Sequence, residues 1–218
     1  MHNKKDWQSA LFQCGIQRGD NLIITGSLSY ECNTIDGWPT LLEACLSMVG
    51  SEGTLMTVIR SSRSEPMTVR RTMNEAQREK LIQQWCQSSY ATIIENPCEL
   101  AFSLHDEARK LTHPGYRFYG IGKYAAFVLR KVPKHFPLHN DGPLQSACKM
   151  KFKHIHFGDE DPWLCMRMNA TAIVVNGGVV HVDGIARWET FLDRVTFDTY
   201  EDQKSWIVLD EKVRLYGV

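Results

Sequence analysis

The sequence predicts an α/β fold with a mixed sheet: parallel βα units in the N-terminal part, a more antiparallel C-terminal part, and helices on both faces. Three observations carry the prediction. Through the first 60 or so residues, segments with apolar positions at i, i+3, i+4 and i+7 alternate with short apolar runs, the pattern of helices and buried strands with parallel neighbours. Gly and Pro fall at the joints between these segments. In the last third, β-branched runs flank turn residues, as antiparallel hairpins require.

Residues 6–14 place Trp7, Ala10, Leu11 and Cys14 at helical spacing, and Gly15 stops that helix. Gly19-Asp20 turns the chain into Leu22-Ile23-Ile24, which reads as a buried strand. A loop with Ser27, Ser29, Asn33 and Asp36 leads to Gly37-Trp38-Pro39, where proline suits a first helical turn. The helix that follows presents Trp38, Leu41, Leu42, Cys45, Leu46 and Val49 to the core and ends at Gly50. Ser51-Glu52-Gly53 then turns into a strand over residues 54–59. Arg60, Arg63, Arg70 and Arg71 lie in a stretch of little apolar period, either a solvated basic loop or a phosphate-binding patch. Thr72 and Glu75 resemble a capping box for a helix reaching residues 85–90.

A helix is predicted over residues 121–130, with Ile121, Tyr124, Ala125, Val128 and Leu129 on one side, followed by a long loop over residues 133–143. Residues 152–157 read as a strand ended by Gly158. Residues 172–175 and 179–182 flank Asn176-Gly177-Gly178, a strong hairpin-turn signal, and residues 206–209 and 213–216 suggest a second hairpin. There is no internal repeat, and residues 1–218 are read as one domain.

Lys plus Arg and Asp plus Glu each number 25, so no net field favours a polyanion, and nucleic acid is an unsuitable partner. Hydrophobic residues at 43% and charged residues at 23% exclude disorder and coiled coil. The seven cysteines are an odd set without CxxC, which fits reduced thiols in the cytoplasm. The N-terminus lacks an apolar signal region, and no stretch approaches the ~18 apolar residues of a membrane span. The expected setting is therefore cytoplasmic, with no membrane partner; a homodimer is open to such a chain. GxGxxG, GxxxxGK[ST], HExxH and GxSxG are all absent, which removes the usual support for dinucleotide, P-loop, zincin and α/β-hydrolase sites.

Two stretches of the chain place titratable groups together. His154 and His156 share a strand face if residues 152–157 are extended, and Asp159, Glu160 and Asp161 follow at once. His156 could be a base oriented by one of those carboxylates; a solvated strand end with charged flanks is the plainer alternative. His139 beside Asp141 in the proline-rich loop is a second candidate with the same alternative. Two histidines at i, i+2 are common by chance, and no metal site is predicted. Ser27 and Ser29 follow the first strand, where an open α/β sheet places ligands, or they only satisfy turn backbone groups.

The longest signal is a motif series. Gly15-Ile16-Gln17-Arg18-Gly19-Asp20-Asn21-Leu22-Ile23-Ile24 leads to Ser27-Leu28-Ser29. Gly37-Trp38-Pro39-Thr40-Leu41-Leu42-Glu43-Ala44-Cys45-Leu46 leads to Val49-Gly50-Ser51-Glu52-Gly53-Thr54-Leu55. Asn96-Pro97, Arg109 or Lys110, His113-Pro114 and Gly120-Ile121-Gly122 continue it, and Asp183-Gly184, Trp188 and Asp193 close it. This series resembles the aminoglycoside 3-N-acetyltransferase family, densely to about residue 60 and sparsely beyond. Members of that family move an acetyl group from acetyl-coenzyme A to an amino group on a sugar ring.

The resemblance implies acetyl-CoA as co-substrate and a small-molecule amine as acceptor. It implies that Ser27, Leu28 and Ser29 contact the pantetheine arm, that Arg109 and Lys110 pair with a phosphate, and that His113 lies in a cofactor-contacting loop. The chain also departs from the family. Gly115-Tyr116-Arg117 stands where a threonine, a histidine and a serine are usual. The window LCMRMNAT over residues 164–171 lacks the usual histidine with a glutamate three residues on. General-base chemistry therefore falls to other groups: His156 first, then His139, with Asp161 as a carboxylate alternative. Asp159, Glu160 and Asp141 are the residues expected to hold the ammonium groups of the substrate. The expected function is acetyl-CoA-dependent N-acetyl transfer to an amino sugar or aminoglycoside-like molecule by direct attack. The alternatives are a member that binds coenzyme A or an amino sugar without turnover, and a biosynthetic acyltransferase with another acceptor.

Overall fold

A computed structural model of the chain describes residues 3–26, 28, 37–61, 65–66, 75–87, 96–139, 141–157, 164, 172–182, 185–195 and 208–209. Helix α1 (Lys4–Gln13) opens with a capping box. Asn3 Oδ1 accepts from the Lys5 and Asp6 amides, and the Asp6 carboxylate accepts from the Asn3 amide. Leu11 is its buried residue, whereas Cys14 lies beyond the helix and is exposed, so the apolar face is narrower than the spacing suggested.

Strand β1 (Asn21–Gly26), helix α2 (Gly37–Val49) and strand β2 (Thr54–Arg60) follow as the sequence predicts, and β1 and β2 pair in parallel. Gly50 ends α2 at φ 66°, a left-handed position that favours glycine. Strands β4 (Arg109–Thr112), β5 (Tyr116–Gly122) and β6 (Lys153–Phe157) complete a five-stranded sheet in the order β4-β5-β2-β1-β6. β6 runs parallel to β1, and β5 runs antiparallel to β2.

Side-chain alternation splits the core into two layers. Leu22, Ile24, Leu55, Tyr119 and Ile121 pack with Leu11 of α1, Trp38, Leu41 and Leu42 of α2, and Ala101 and Phe102 of α4 (Pro97–Ser103). Ile23, Met56, Val58 and Phe118 face the other way. They pack with Val128 of α5 (Ala125–Val128) and Leu144 and Ala147 of α6 (Pro143–Lys149). Helices on both faces are thus observed.

The helix predicted over residues 121–130 is corrected by this layering. Ile121 belongs to β5, and only the single turn α5 is helical. β5 is buried on both faces, so its apolar residues do not alternate with polar ones, and the run from Ile121 to Leu129 imitates helical spacing. Residues 133–139 and 141–142 lie in the predicted loop, and Pro143 already starts α6, at the position where a missing amide hydrogen costs nothing. Helix α3 (Glu75–Gln87) forms where expected, while its proposed cap Thr72 lies outside the described residues. In the arginine-containing stretch, Glu65–Pro66 forms the short strand β3.

The C-terminal sheet corrects the first hairpin. β7 (Ala172–Val182) runs straight through Asn176-Gly177-Gly178 and pairs antiparallel with β8 (Ile185–Val195), Val182 opposite Ile185, so these three residues are strand and not the turn. The glycines serve close approach instead of a turn. A Cβ on Gly177 would sit 2.4 Å from the Trp188 indole, and one on Gly178 would sit 2.0 Å from the Pro114 carbonyl oxygen. β3 and β9 (Val208–Leu209) also pair with β7, in a sheet that is antiparallel as expected. Residues 213–216 lie outside the described residues.

Candidate active site

The chain passes from β1 to β2 on one side, while β6 lies against the other side of β1. The crevice at the carboxyl ends of β1 and β6 is therefore a topological switch point, where open α/β sheets bind ligands. Glycine is required there: Gly26 has φ 106°, and a Cβ on it would lie 1.9 Å from the Phe157 carbonyl oxygen. Immediately before these residues, Thr25 pairs in register with His156.

Ile155 and Phe157 pack into the α1/α2 layer, which leaves Thr25, His154 and His156 on the opposite face of β1 and β6. Thr25 Oγ1 is 2.6 Å from His154 Nε2 and 3.1 Å from His156 Nδ1. The two rings stand 6.4 Å apart at 70°. Burial, then the neighbouring His156, lowers the pKa of His154. Nε2 of His156 is buried and has no hydrogen-bond partner among the described residues. This unpartnered imidazole nitrogen can accept a proton from a bound amine or donate one to it.

The other sequence candidates are placed differently. His113 is buried, with Nε2 2.9 Å from the Lys134 carbonyl oxygen and Nδ1 accepting from the Gly115 amide. Its ring packs edge-on to Phe191 at 4.5 Å, and burial pushes its pKa down to about 4. Nδ1 thus braces the β4–β5 turn from within and Nε2 ties that turn to the loop after α5, so both ring nitrogens have partners inside the protein. Arg109 and Lys110 are exposed on β4, at the sheet edge opposite β6, four strand spacings or roughly 19 Å from His156. Leu28 is buried in the α1/α2 core, so its side chain is occupied by packing.

His139 is half-buried, and Asp141, at φ 46°, donates its amide N–H to Gln145 Oε1, 2.9 Å away. Asp141 also lines a cavity of about 290 Å³ with Phe127, Arg130, Gln145, Lys149 and other residues of α5 and α6, none of them from the β1–β6 end. Ser27, Ser29, Asp159, Glu160 and Asp161 lie outside the described residues, as does residues 165–171 of the LCMRMNAT window. Leu164 of that window is buried against the α5/α6 layer.

Sequence reasoning missed two features. Thr25 was hidden inside an apolar strand, and only its register against the histidines reveals it. Glu99, fully buried at the start of α4, pairs with Arg117 at 2.9 Å and accepts from the Tyr119 hydroxyl at 2.6 Å. Among the described residues no group of three or more His, Cys, Asp or Glu could hold a metal ion, and no helix is long and apolar enough to cross a membrane.

This five-stranded sheet, with its β1–β6 crevice, has the fold of the aminoglycoside acetyltransferases. The crystal structure of aminoglycoside acetyltransferase AAC(3)-Xa matches with a TM-score of 0.75 at 19% identity, over 91% of this chain and 73% of that one. AAC-VIa bound to sisomicin matches at 0.69 and 16% identity, over 88% and 76%. AAC-IIIb in a binary complex with CoASH matches at 0.66 and 14% identity, over 94% and 82%. No family model and no curated protein matches the chain.

Proposed function

We propose that this protein is an acetyl-CoA-dependent N-acetyltransferase acting on an amino group of an amino sugar or aminoglycoside-like molecule, with His156 as its base. The observation that carries the reading is the unpartnered Nε2 of His156 at the carboxyl ends of β1 and β6, in a fold shared with aminoglycoside acetyltransferases. One of those relatives is solved with CoASH and another with sisomicin, which supports a coenzyme A thioester and an amine as the two reactants. A buried nitrogen lacking a partner also fits a site whose missing partner is a ligand group.

Acetyl-CoA, when bound, supplies the acetyl group as an activated thioester. An amine on a sugar is an ammonium ion at neutral pH and cannot attack until it loses a proton. His156 Nε2 accepts that proton; the freed amine attacks the thioester carbonyl carbon, the C–N bond forming and the C–S bond breaking, and of the two protons the nitrogen gives up in all, one goes to the departing thiolate and the other to solvent. Asp159, Glu160 and Asp161 begin three residues beyond His156, at most about 11 Å of extended chain, and we assign them to holding the remaining ammonium groups. Ser27 and Ser29, directly after Gly26, are assigned to the pantetheine arm. Reduced thiols, including the free Cys45 and Cys98 of the core, suit a cytoplasmic enzyme.

Thiol release from acetyl-CoA with a panel of aminoglycosides, together with calorimetry for coenzyme A, tests this reading. Saturable release with at least one amine supports it. Coenzyme A binding with no product from a broad amine panel would instead identify a binding protein without turnover, the reading that the absent His and Glu of residues 164–171 favours.

A further inference from the structure

Thr25 and His154 lie beside His156, yet neither has a part in the proton transfer described above. Thr25 is only 2% exposed, and its hydroxyl contacts both rings. A hydroxyl has one proton to give, so it donates to one imidazole and accepts an N–H from the other. Two arrangements result. In the first, Thr25 donates to His154 Nε2 and accepts from His156 Nδ1–H, which leaves neutral His156 with a bare Nε2. In the second, His154 Nε2–H donates to Thr25, Thr25 donates to His156 Nδ1, and neutral His156 carries its proton on Nε2, where it cannot act as a base.

The distances distinguish them. A donated O–H gives short contacts, whereas N–H donors stand farther from oxygen. The 2.6 Å contact to His154 fits the Thr25 hydroxyl as donor, and the 3.1 Å contact to His156 fits Nδ1–H as donor.

We propose that Thr25, backed by His154, is a positioning residue that keeps the His156 proton on Nδ1 and so leaves Nε2 open to the substrate. The role in catalysis rests on His156 being the base; the tautomer itself does not. Imidazole ¹⁵N spectra of the ligand-free protein, with His156→Gln for assignment, read the tautomer directly at a pH where His156 is neutral. Wild type and Thr25→Ser should show His156 protonated on Nδ1. Thr25→Val should move the proton to Nε2 or to a mixture. His154→Leu, which removes the acceptor of the Thr25 hydroxyl, should do the same, and it carries the test if Thr25→Val does not fold.

In acetyl transfer, Thr25→Val should lower kcat by roughly 10-fold with KM within about twofold, and Thr25→Ser should keep most of the rate. A His156 tautomer unchanged in both Thr25→Val and His154→Leu overturns the proposal. A shifted tautomer in a protein that transfers no acetyl group upholds the positioning role and rejects the acetyltransferase reading instead.

Discussion

The Glu99 carboxylate and the Arg117 guanidinium meet at 2.9 Å inside the protein, with Glu99 fully buried, and so join helix α4 to strand β5. The Tyr119 hydroxyl, two residues along the same strand, donates to the same carboxylate oxygen. Removing one member of such a pair leaves the other charge buried without compensation. Glu99→Ala should therefore destabilise the protein by about 3 kcal/mol or more, measured by denaturant unfolding, whereas Glu99→Gln, which keeps an acceptor for Tyr119, should cost less.

Burial and the Glu99 carboxylate hold the Tyr119 pKa well above the ordinary tyrosine range. Its proton is bound more tightly in the folded chain, so its contribution is full below about pH 10 and is lost as the unfolded chain ionises above it. Tyr119→Phe should flatten the alkaline fall in melting temperature relative to wild type. An identical alkaline slope in the two proteins would show that Tyr119 is not held in this way.

His113 behaves in the opposite sense. Its pKa is pushed down to about 4 by burial, so the folded chain resists a proton that the unfolded chain accepts. Stability from this group is complete above about pH 6.5 and declines as pH falls toward 4, by roughly 3 kcal/mol at most. His154, also lowered, adds to the same acid slope. His113→Asn should unfold more readily at neutral pH but lose less stability on acidification, as followed by unfolding across that window.

Gly177 and Gly178 test the course of β7. Either alanine substitution places a methyl where Trp188 or the Pro114 carbonyl already stands, and each should lower stability by about 1–3 kcal/mol in thermal unfolding. Gly178 should be the worse site, because its neighbour is backbone and cannot rotate away. Equal tolerance of alanine at both positions would return these glycines to an open turn.

Local signals made the first sixty residues legible. Gly15, Pro39, Gly50 and the apolar periods of α1 and α2 act within a few residues of themselves, and the β1-α2-β2 unit follows from them. Signals that depend on distant partners were not legible. Asn176-Gly177-Gly178 has the composition of a turn, but Trp188 and Pro114, far along the chain, convert it into a strand that needs small residues. Ile121 reads as helical until β2 and β4 are placed beside it. The same limit governs the site. His156 could be singled out from its own strand, but Thr25 acquires meaning only when β1 and β6 pair in register. His113 and Arg109 resembled cofactor residues by order in the chain, and the sheet places one in a packed turn and the other on the far edge.

Everything proposed for the chemistry passes through one nitrogen, so the most direct measurement is steady-state acetyl transfer by His156→Gln against wild type across the pH range in which imidazole titrates. With His156 as base, the substitution should lower kcat by roughly 10²-fold or more and abolish the acid limb of the rate profile, while coenzyme A affinity measured by calorimetry stays near the wild-type value. A His156→Gln enzyme that keeps the wild-type rate and the wild-type acid limb would contradict the account.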